Sequence, residues 1–293
     1  MMKLSVLIPT YNCDCSRLVR ELQRQLPSDG ELIVGDDCST DKDIIRKNDE
    51  AACLPKCRAI RPQHNLGRAA IRNALAQEAK GDWLLFIDAD AEVRSQSFIA
   101  NYLTAAEGSM ANVICGGTGN ISQCPRIETR LRYDYEVAAE KRLTLEHRRH
   151  HPYAQFTTFN FLIRRDLFLS TLFDEHGKEY GHEDTLFGLE LKRRGIPILH
   201  IDNKLTHLGL EDANVYLEKT ETALRSLAYM SQELQQHARI SALAFRLKRW
   251  HMLGFTRTLF TICKPLLRSN LLGKHPNQKL FALYKLGYYT SIC

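Results

Sequence analysis

Short apolar runs and helical stripes alternate through the first hundred residues. Residues 4–9 form an apolar run that breaks off at Thr10-Tyr11-Asn12, as a buried strand does, and residues 16–26 follow with a helical pattern. The alternation repeats. Residues 31–35 predict a second strand, 41–51 a helix, 58–61 a short strand, and 66–80 a helix with Ala70, Ala74 and Leu75 on its apolar side. A further strand begins at Trp83, and a helix lies near residues 97–106. This is the βαβ pattern of a mostly parallel sheet with helices on both faces.

In such a sheet the carboxyl ends of the strands share one edge, where ligands bind. Three strand ends here are polar: Pro9-Thr10-Tyr11-Asn12, Asp36-Asp37-Cys38-Ser39-Thr40-Asp41, and Asp88-Ala89-Asp90 after Trp83-Leu84-Leu85-Phe86-Ile87. Residues i and i+2 of an extended segment point the same way, so Asp88 and Asp90 are expected to converge on one hard cation and the diphosphate it holds. A second D-x-D, Asp41 and Asp43, lies in a polar stretch and reads as a turn or helix start. The turn after the first strand has no glycine, Gly116-Gly117-Thr118-Gly119 has Ser122 where a dinucleotide fingerprint needs glycine, and no P-loop exists. What remains is a nucleotide-diphosphate site built on a metal and strand-end loops.

The ordered blocks Ser5 to Asn12, Val34 to Asp41, Asn65-Leu66-Gly67 with Ala70, Arg72 and Asn73, Gly81-Asp82-Trp83 into Asp88-Ala89-Asp90, and Gly181-His182-Glu183-Asp184 with Gly188 and Arg193-Arg194-Gly195 resemble family 2 glycosyltransferases of the GT-A fold. The resemblance covers about residues 3–210. It implies an inverting enzyme, with a Rossmann-like nucleotide half (about 1–100) and an acceptor half (101–233). It further implies that Pro9, Tyr11 and Asp37 hold the base, that Arg72 lies near the donor, Asp88 near the ribose or metal, and Asp90 on the metal. Cys38, where the family often carries glycine, and Thr158-Phe159 before Asn160, where small residues are frequent, depart from the pattern; neither is expected to touch a charged role.

Glycosyl transfer must neutralise a departing diphosphate, the work of a divalent cation such as Mn2+ or Mg2+, and must deprotonate an acceptor hydroxyl. Asp184 is the candidate base. It opens a helical pattern carried by Leu186, Phe187, Leu189 and Leu191, where the helix N-terminus keeps a carboxylate ionised and lowers its basicity. Glu183 and His182 are left to cap the helix or orient the acceptor, and capping by Asp184 itself is the competing reading. His207 ends a later strand pattern. Imidazole suits manganese, and related enzymes carry a histidine at the corresponding place, so His207 is a candidate third ligand. The cationic stretch 146–153 reads either as a lid over the diphosphate or as a plain solvated loop.

Charge divides the chain. Residues 1–233 hold 30 basic and 34 acidic side chains, whereas 234–293 hold 10 basic and none acidic. Nine scattered cysteines in 293 residues form no disulfide framework, and the apolar run at 4–8 is too short for a signal segment, so a cytoplasmic protein with reduced thiols is expected. Residues 234–293 are taken as a separate basic helical extension. Drawn as one helix, Arg239, Arg246, Arg257, Lys264 and Arg268 fall along one line, with Phe245, Leu247, Trp250, Met252, Leu253, Leu259 and Phe260 over much of the rest. Gly254 and Pro265 are expected to divide it. Such an element suits the anionic inner face of the cytoplasmic membrane, bound peripherally, or else packs back on the enzyme. The acceptor expected is a glycan or a polyisoprenyl- or other lipid-linked hydroxyl, and the donor a UDP sugar. A nucleotidyltransferase is the alternative enzyme, but it would carry a Gly-rich basic grip after the first strand. A basic-tailed membrane- or nucleic-acid-binding protein without catalysis is the non-enzymatic alternative, but nucleic acid is not an expected partner, because aliphatic residues dilute the tail's cations and the body is acidic.

Overall fold

A computed structural model describes residues 2–175, 182–230, 235 and 238–293. Gly181, counted in the fifth block, lies outside them. The chain forms two compact units, one of Met1–Ile121, Arg142–His176 and Glu183–Gly209, the other of Ser122–Lys141, Gly177–His182 and Leu210–Cys293.

The expected alternation is present to within a few residues. It runs β1 (Leu4–Thr10), α1 (Ser16–Gln23), β2 (Glu31–Asp36), α2 (Lys42–Ala52), β3 (Cys57–Ile60), α3 (Arg68–Glu78), β4 (Trp83–Ile87), β5 (Ala91–Glu92), α4 (Phe98–Glu107), β6 (Val113–Cys115) and β7 (Thr118–Asn120). After α5 (Arg130–Arg142), which belongs almost wholly to the second unit, come α6 (Leu145–His150), β8 (Asn160–Arg164), α7 (Arg165–Thr171), α8 (Glu183–Arg193), β9 (Ile198–His200) and β10 (Leu205–His207). The main sheet has the order β3-β2-β1-β4-β8-β6-β9, parallel except that β8 runs antiparallel between β4 and β6. Every residue of β4 is buried, which suits a central strand covered on both faces.

The pleat sorts side chains onto two cores. Leu4, Val6, Ile8, Leu85 and Ile87 join Leu18, Leu22, Phe98 and Tyr102 on one face. Leu7, Leu84 and Phe86 join Leu75, Phe161, Phe168 and Phe187 on the other, where Phe86 stacks on Phe161 at 4.9 Å and Phe173 on Phe187 at 4.4 Å. Phe187 and Leu191 therefore lock α8 to the sheet and fix its first turn, which carries Glu183 and Asp184. A small second sheet, β5-β10-β7, pairs His207 with Ala91 and brings the end of β10 beside Asp90.

The second unit is helical: α5, α9 (Ala213–Tyr229), α10 (Arg239–Arg249), α11 (Leu253–Leu271) and α12 (Gln278–Ile292). Leu131, Leu217, Phe260, Phe281, Tyr284 and Tyr289 make its core. Gly287 lets α12 lie against the Phe260 ring, since a Cβ there would come within 2.2 Å of it. The basic stretch is thus not one helix. Its break falls at Trp250–Met252, ahead of Gly254, and Pro265 stays inside a continuous α11, which the burial of Phe260 and Leu271 holds together despite the lost backbone donor. No helix among the described residues is long and apolar enough to cross a membrane.

Candidate active site

The strand-end loops are tied to one another before any ligand is considered. Asn12 (φ 48°) accepts backbone N–H groups of Thr40 at 2.7 Å and Asp41 at 3.1 Å, joining the ends of β1 and β2. Cys38 has φ 62°, a conformation that favours glycine, which explains why glycine suits this position. Asp41 receives the N–H groups of Asp43 and Ile44 and so caps α2, as expected of the second D-x-D.

Asp37 is buried, and its two carboxylate oxygens accept the N–H groups of Leu66 at 2.7 Å and Gly67 at 2.9 Å. Each oxygen keeps a second lone pair. Pro9 is half-buried at the end of β1, and Tyr11 beyond it is exposed. Arg72, almost wholly buried on α3, donates to Asp88 at 2.5 Å and to the Arg68 carbonyl at 3.0 Å, while its Nε has no hydrogen-bond partner.

Asp88 and Asp90 do not act as an extended pair. The strand ends at Ile87, and the Ala91 N–H to Asp88 carbonyl bond of 3.2 Å turns the chain, so Asp88 meets Arg72 whereas Asp90 meets His207 Nε2 at 3.1 Å. Among the described residues no group of three His, Cys, Asp or Glu side chains stands ready to hold a metal, so Asp88, Asp90 and His207 are not gathered as one ligand set. The remaining pair still fits a divalent cation. A carboxylate and an imidazole face each other, and Mg2+ or Mn2+ characteristically takes its other ligands from water and substrate phosphates. Gly209 keeps the approach open, since a Cβ there would lie 2.1 Å from Asp90 Oδ2 and 3.0 Å from His207 Nε2. Burial pushes the Asp90 carboxyl upward, but the hydrogen bond and charge of His207 outweigh it and leave the group below its usual value. Beside Asp90 a cleft of about 210 Å³ opens between α1 and the residues following β4.

Asp184 lies in the first turn of α8, half-buried, with its carboxylate accepting the Thr158 hydroxyl at 3.0 Å and the Thr158 N–H at 3.3 Å. These bonds come from the segment before β8, not from its own helix. Burial, then the adjacent Glu183 charge, raise its carboxyl to about 6; Asp88 adds to the rise, while Arg72 and the Thr158 N–H oppose it. The expectation that the helix N-terminus would depress its basicity is overturned, because desolvation dominates. Thr158 in turn does touch a charged group, contrary to the sequence expectation. Glu183 faces Arg68 at 3.8 Å. His182, in the second unit with φ 73°, sets Nε2 3.0 Å from the Ala223 carbonyl.

Within the stretch 146–153, residues up to His150 belong to the helix α6 rather than to a plain loop. Glu146, Arg149, His150 and His151 are exposed, but Arg148 is buried, donating to the Ile201 carbonyl at 2.9 Å and standing 3.3 Å from His200 Nδ1. Gly117 (φ 94°) leaves room for this guanidinium. Sequence reasoning missed the roles of Thr158, Arg148 and Gly209; only the glycine two places after His207 carried a local signal.

The sequence profile described as Glycosyl transferase family 2 matches residues 5–171, more than half of the chain. An uncharacterized glycosyltransferase of Haemophilus influenzae is 37% identical over 89 residues, 30% of this chain and 29% of that protein. Poly(ribitol-phosphate) beta-N-acetylglucosaminyltransferase TarS of Staphylococcus aureus is 32% identical over 103 residues, 33% of this chain and 18% of TarS. The chain therefore spans less than a third of the length of these two curated relatives. TarS 1–349 in complex with UDP-GlcNAc matches in structure with a TM-score of 0.55 at 16% identity, over 99% of this chain and 90% of that one. Mannosyltransferase PcManGT from Pyrobaculum calidifontis, in complex with GDP-Man and Mn2+, matches with a TM-score of 0.56 at 13% identity, over 98% and 84%. These structural likenesses establish the α/β fold that the sequence resemblance implied.

Proposed function

Because the chain belongs to glycosyl transferase family 2, we propose that it is an inverting glycosyltransferase that moves a sugar from a nucleotide-diphosphate donor, UDP-linked, to a hydroxyl of a glycan or lipid-linked acceptor in cell-surface polysaccharide or glycolipid synthesis. The observation that carries this reading is Asp184. A half-buried carboxylate with its proton affinity raised to about 6, within electrostatic reach of Arg72 and Asp88, is poised to take a proton near neutral pH beside the donor site.

In this reading Asp184 accepts the acceptor hydroxyl's proton, with Thr158 holding both carboxylate oxygens in place. The freed oxygen attacks the anomeric carbon opposite the departing diphosphate, so the configuration inverts in one displacement. Asp90 and His207 would hold a divalent cation, Mn2+ or Mg2+, whose charge neutralises the leaving group. Arg72 fixes Asp88 at the donor. Pro9, Tyr11 and the remaining lone pairs of Asp37 receive the base. Glu183 and His182 flank the acceptor side. Residues 234–293 lie peripherally on the anionic inner face of the cytoplasmic membrane, where a lipid-linked acceptor would be found.

A panel of sugar nucleotides with added Mn2+ or Mg2+, followed by release of nucleotide diphosphate, tests the reading. One donor should turn over, and Asp184→Asn should stop transfer while donor binding persists. Transfer by Asp184→Asn at the wild-type rate, with Glu183→Gln inactive, would reverse the roles of the two acids.

A further inference from the structure

On α11, Phe255, Leu259, Ile262 and Leu266 are 64%, 48%, 69% and 74% exposed. At 100° per residue these four side chains fall within an arc of about 60°, a single apolar stripe about three turns long. Isolated exposed apolar residues are ordinary; an aligned row of four is not. The opposite side of the same helix packs inward through Phe260 and Leu271. Its cations turn inward too. Arg257 donates to the carbonyls of Thr290 at 2.8 Å and Cys293 at 2.7 Å, Lys264 lies over the rings of Phe260 and Tyr288, and Arg268 donates to Asn214. The basic line drawn from the sequence is therefore largely consumed by the fold, and what α11 offers outward is the apolar row.

Charge is supplied by the neighbouring elements of the same unit. Arg239, Arg246, Lys248 and Arg249 on α10, and Lys274 and Lys279 around the start of α12, are all exposed. Trp250, 63% exposed, ends α10, an aromatic of the kind that anchors at a headgroup boundary. Residues 234–293 contain no Asp or Glu. A second copy of the chain joined through this stripe would set cations against cations with no carboxylate from these residues to compensate. An anionic lipid surface complements both the stripe and its surroundings.

We propose that the α11 stripe Phe255/Leu259/Ile262/Leu266 is the membrane-inserting surface of this protein, with the exposed cations of α10 and α12 contacting anionic lipid headgroups. It rests on the membrane half of the proposed function and names the residues that perform it. The stripe enters the headgroup boundary while the helix stays parallel to the membrane, and no helix among the described residues crosses it.

The test is sedimentation of the full chain with vesicles of phosphatidylglycerol and phosphatidylcholine in equal parts, and with phosphatidylcholine alone. Wild type should bind the anionic vesicles, and more weakly as salt rises. The double substitution Ile262→Ser/Leu266→Ser should lower partitioning about a hundredfold, roughly tenfold for each side chain withdrawn from the lipid. Arg246→Gln/Arg249→Gln should lower it about fivefold per charge and flatten the salt dependence. Donor turnover with a water-soluble acceptor and the circular dichroism melt should match wild type in both. Phe255→Ser/Leu259→Ser repeats the experiment on the other half of the stripe should the first pair disturb folding. If wild type binds and both apolar variants bind equally well, the stripe is the wrong surface while the membrane reading stands. If wild type does not bind, both fall. A dimer broken by the same substitutions, without vesicle binding, would assign the stripe to a second copy and overturn the proposal.

Discussion

Asp184→Asn should make the protein more stable at alkaline pH while removing its activity. In the folded chain the Asp184 carboxyl holds its proton up to about 6, against an ordinary value of 3.8. The folded state therefore binds more protons than the unfolded state between those values. The stability linked to this group is fully present below about 4 and is lost as pH rises through about 6. The difference of about two pH units corresponds to about 3 kcal/mol at pH 8, an upper bound, since the carboxylate is partly exposed. Asparagine has no charge to desolvate. Its amide oxygen can accept the Thr158 N–H, and its NH2 can donate to a Thr158 hydroxyl that has rotated to accept, so both contacts at 3.3 and 3.0 Å survive in altered form. Thermal melts at pH 4.5 and pH 8 should show the variant's advantage growing with pH, by as much as several degrees in Tm at pH 8. Turnover should fall roughly a hundred- to ten-thousandfold. In wild type kcat should rise with pH through about 6 and level off, because only the ionised carboxylate accepts a proton; in Glu183→Gln that limb should move to lower pH, since a charge that raises Asp184 is gone. A variant that is less stable than wild type at pH 8 yet turns over normally would mean that Asp184 is a structural residue, and the assignment would be wrong.

Asp90→Ala should abolish transfer, as should a chelator added to wild type, and activity persisting in excess chelator would remove the metal from the reaction. His207→Ala should act more gently, raising the cation concentration needed for half-maximal rate. Gly209→Ala drives a methyl to within 2.1 Å of Asp90 Oδ2 and should raise that requirement about ten- to a hundredfold with little change in Tm, as a titration with Mn2+ would reveal. Arg148→Met leaves the Ile201 carbonyl and His200 without their donor in a buried setting and should cost about 2–3 kcal/mol in urea unfolding with donor affinity unchanged; the opposite pattern would restore the lid reading.

The parts of this protein that were legible in the sequence are those with a period. Strands and helices announce themselves by spacing, so the alternation from β1 to α4 was readable to within a few residues, and the polar strand ends marked the edge where Asp37, Asp88 and Asp90 gather. Partnerships across the fold have no period. The pairing of Arg72 with Asp88, the two Thr158 bonds to Asp184 and the 3.1 Å contact of His207 with Asp90 join residues separated by 16, 26 and 117 positions. The last arises from strand order, which places β10 beside β5, and the Thr158 bonds from the packing of α8 on β8 through Phe187 and Phe161. The same limit explains the misreading of Arg148. A run of histidines and arginines has the composition of a solvated loop, yet one member lies between β6 and β9, where carbonyls at the strand ends need a donor. Local chemistry also failed where the competing terms are both local and global. A helix N-terminus lowers a carboxylate's proton affinity and burial raises it, and only the packing of α8 on the Phe161–Phe187 layer shows that burial wins at Asp184. Asp184's capacity to act as a base near neutral pH is thus a property of the aromatic core beneath its helix as much as of the motif that contains it.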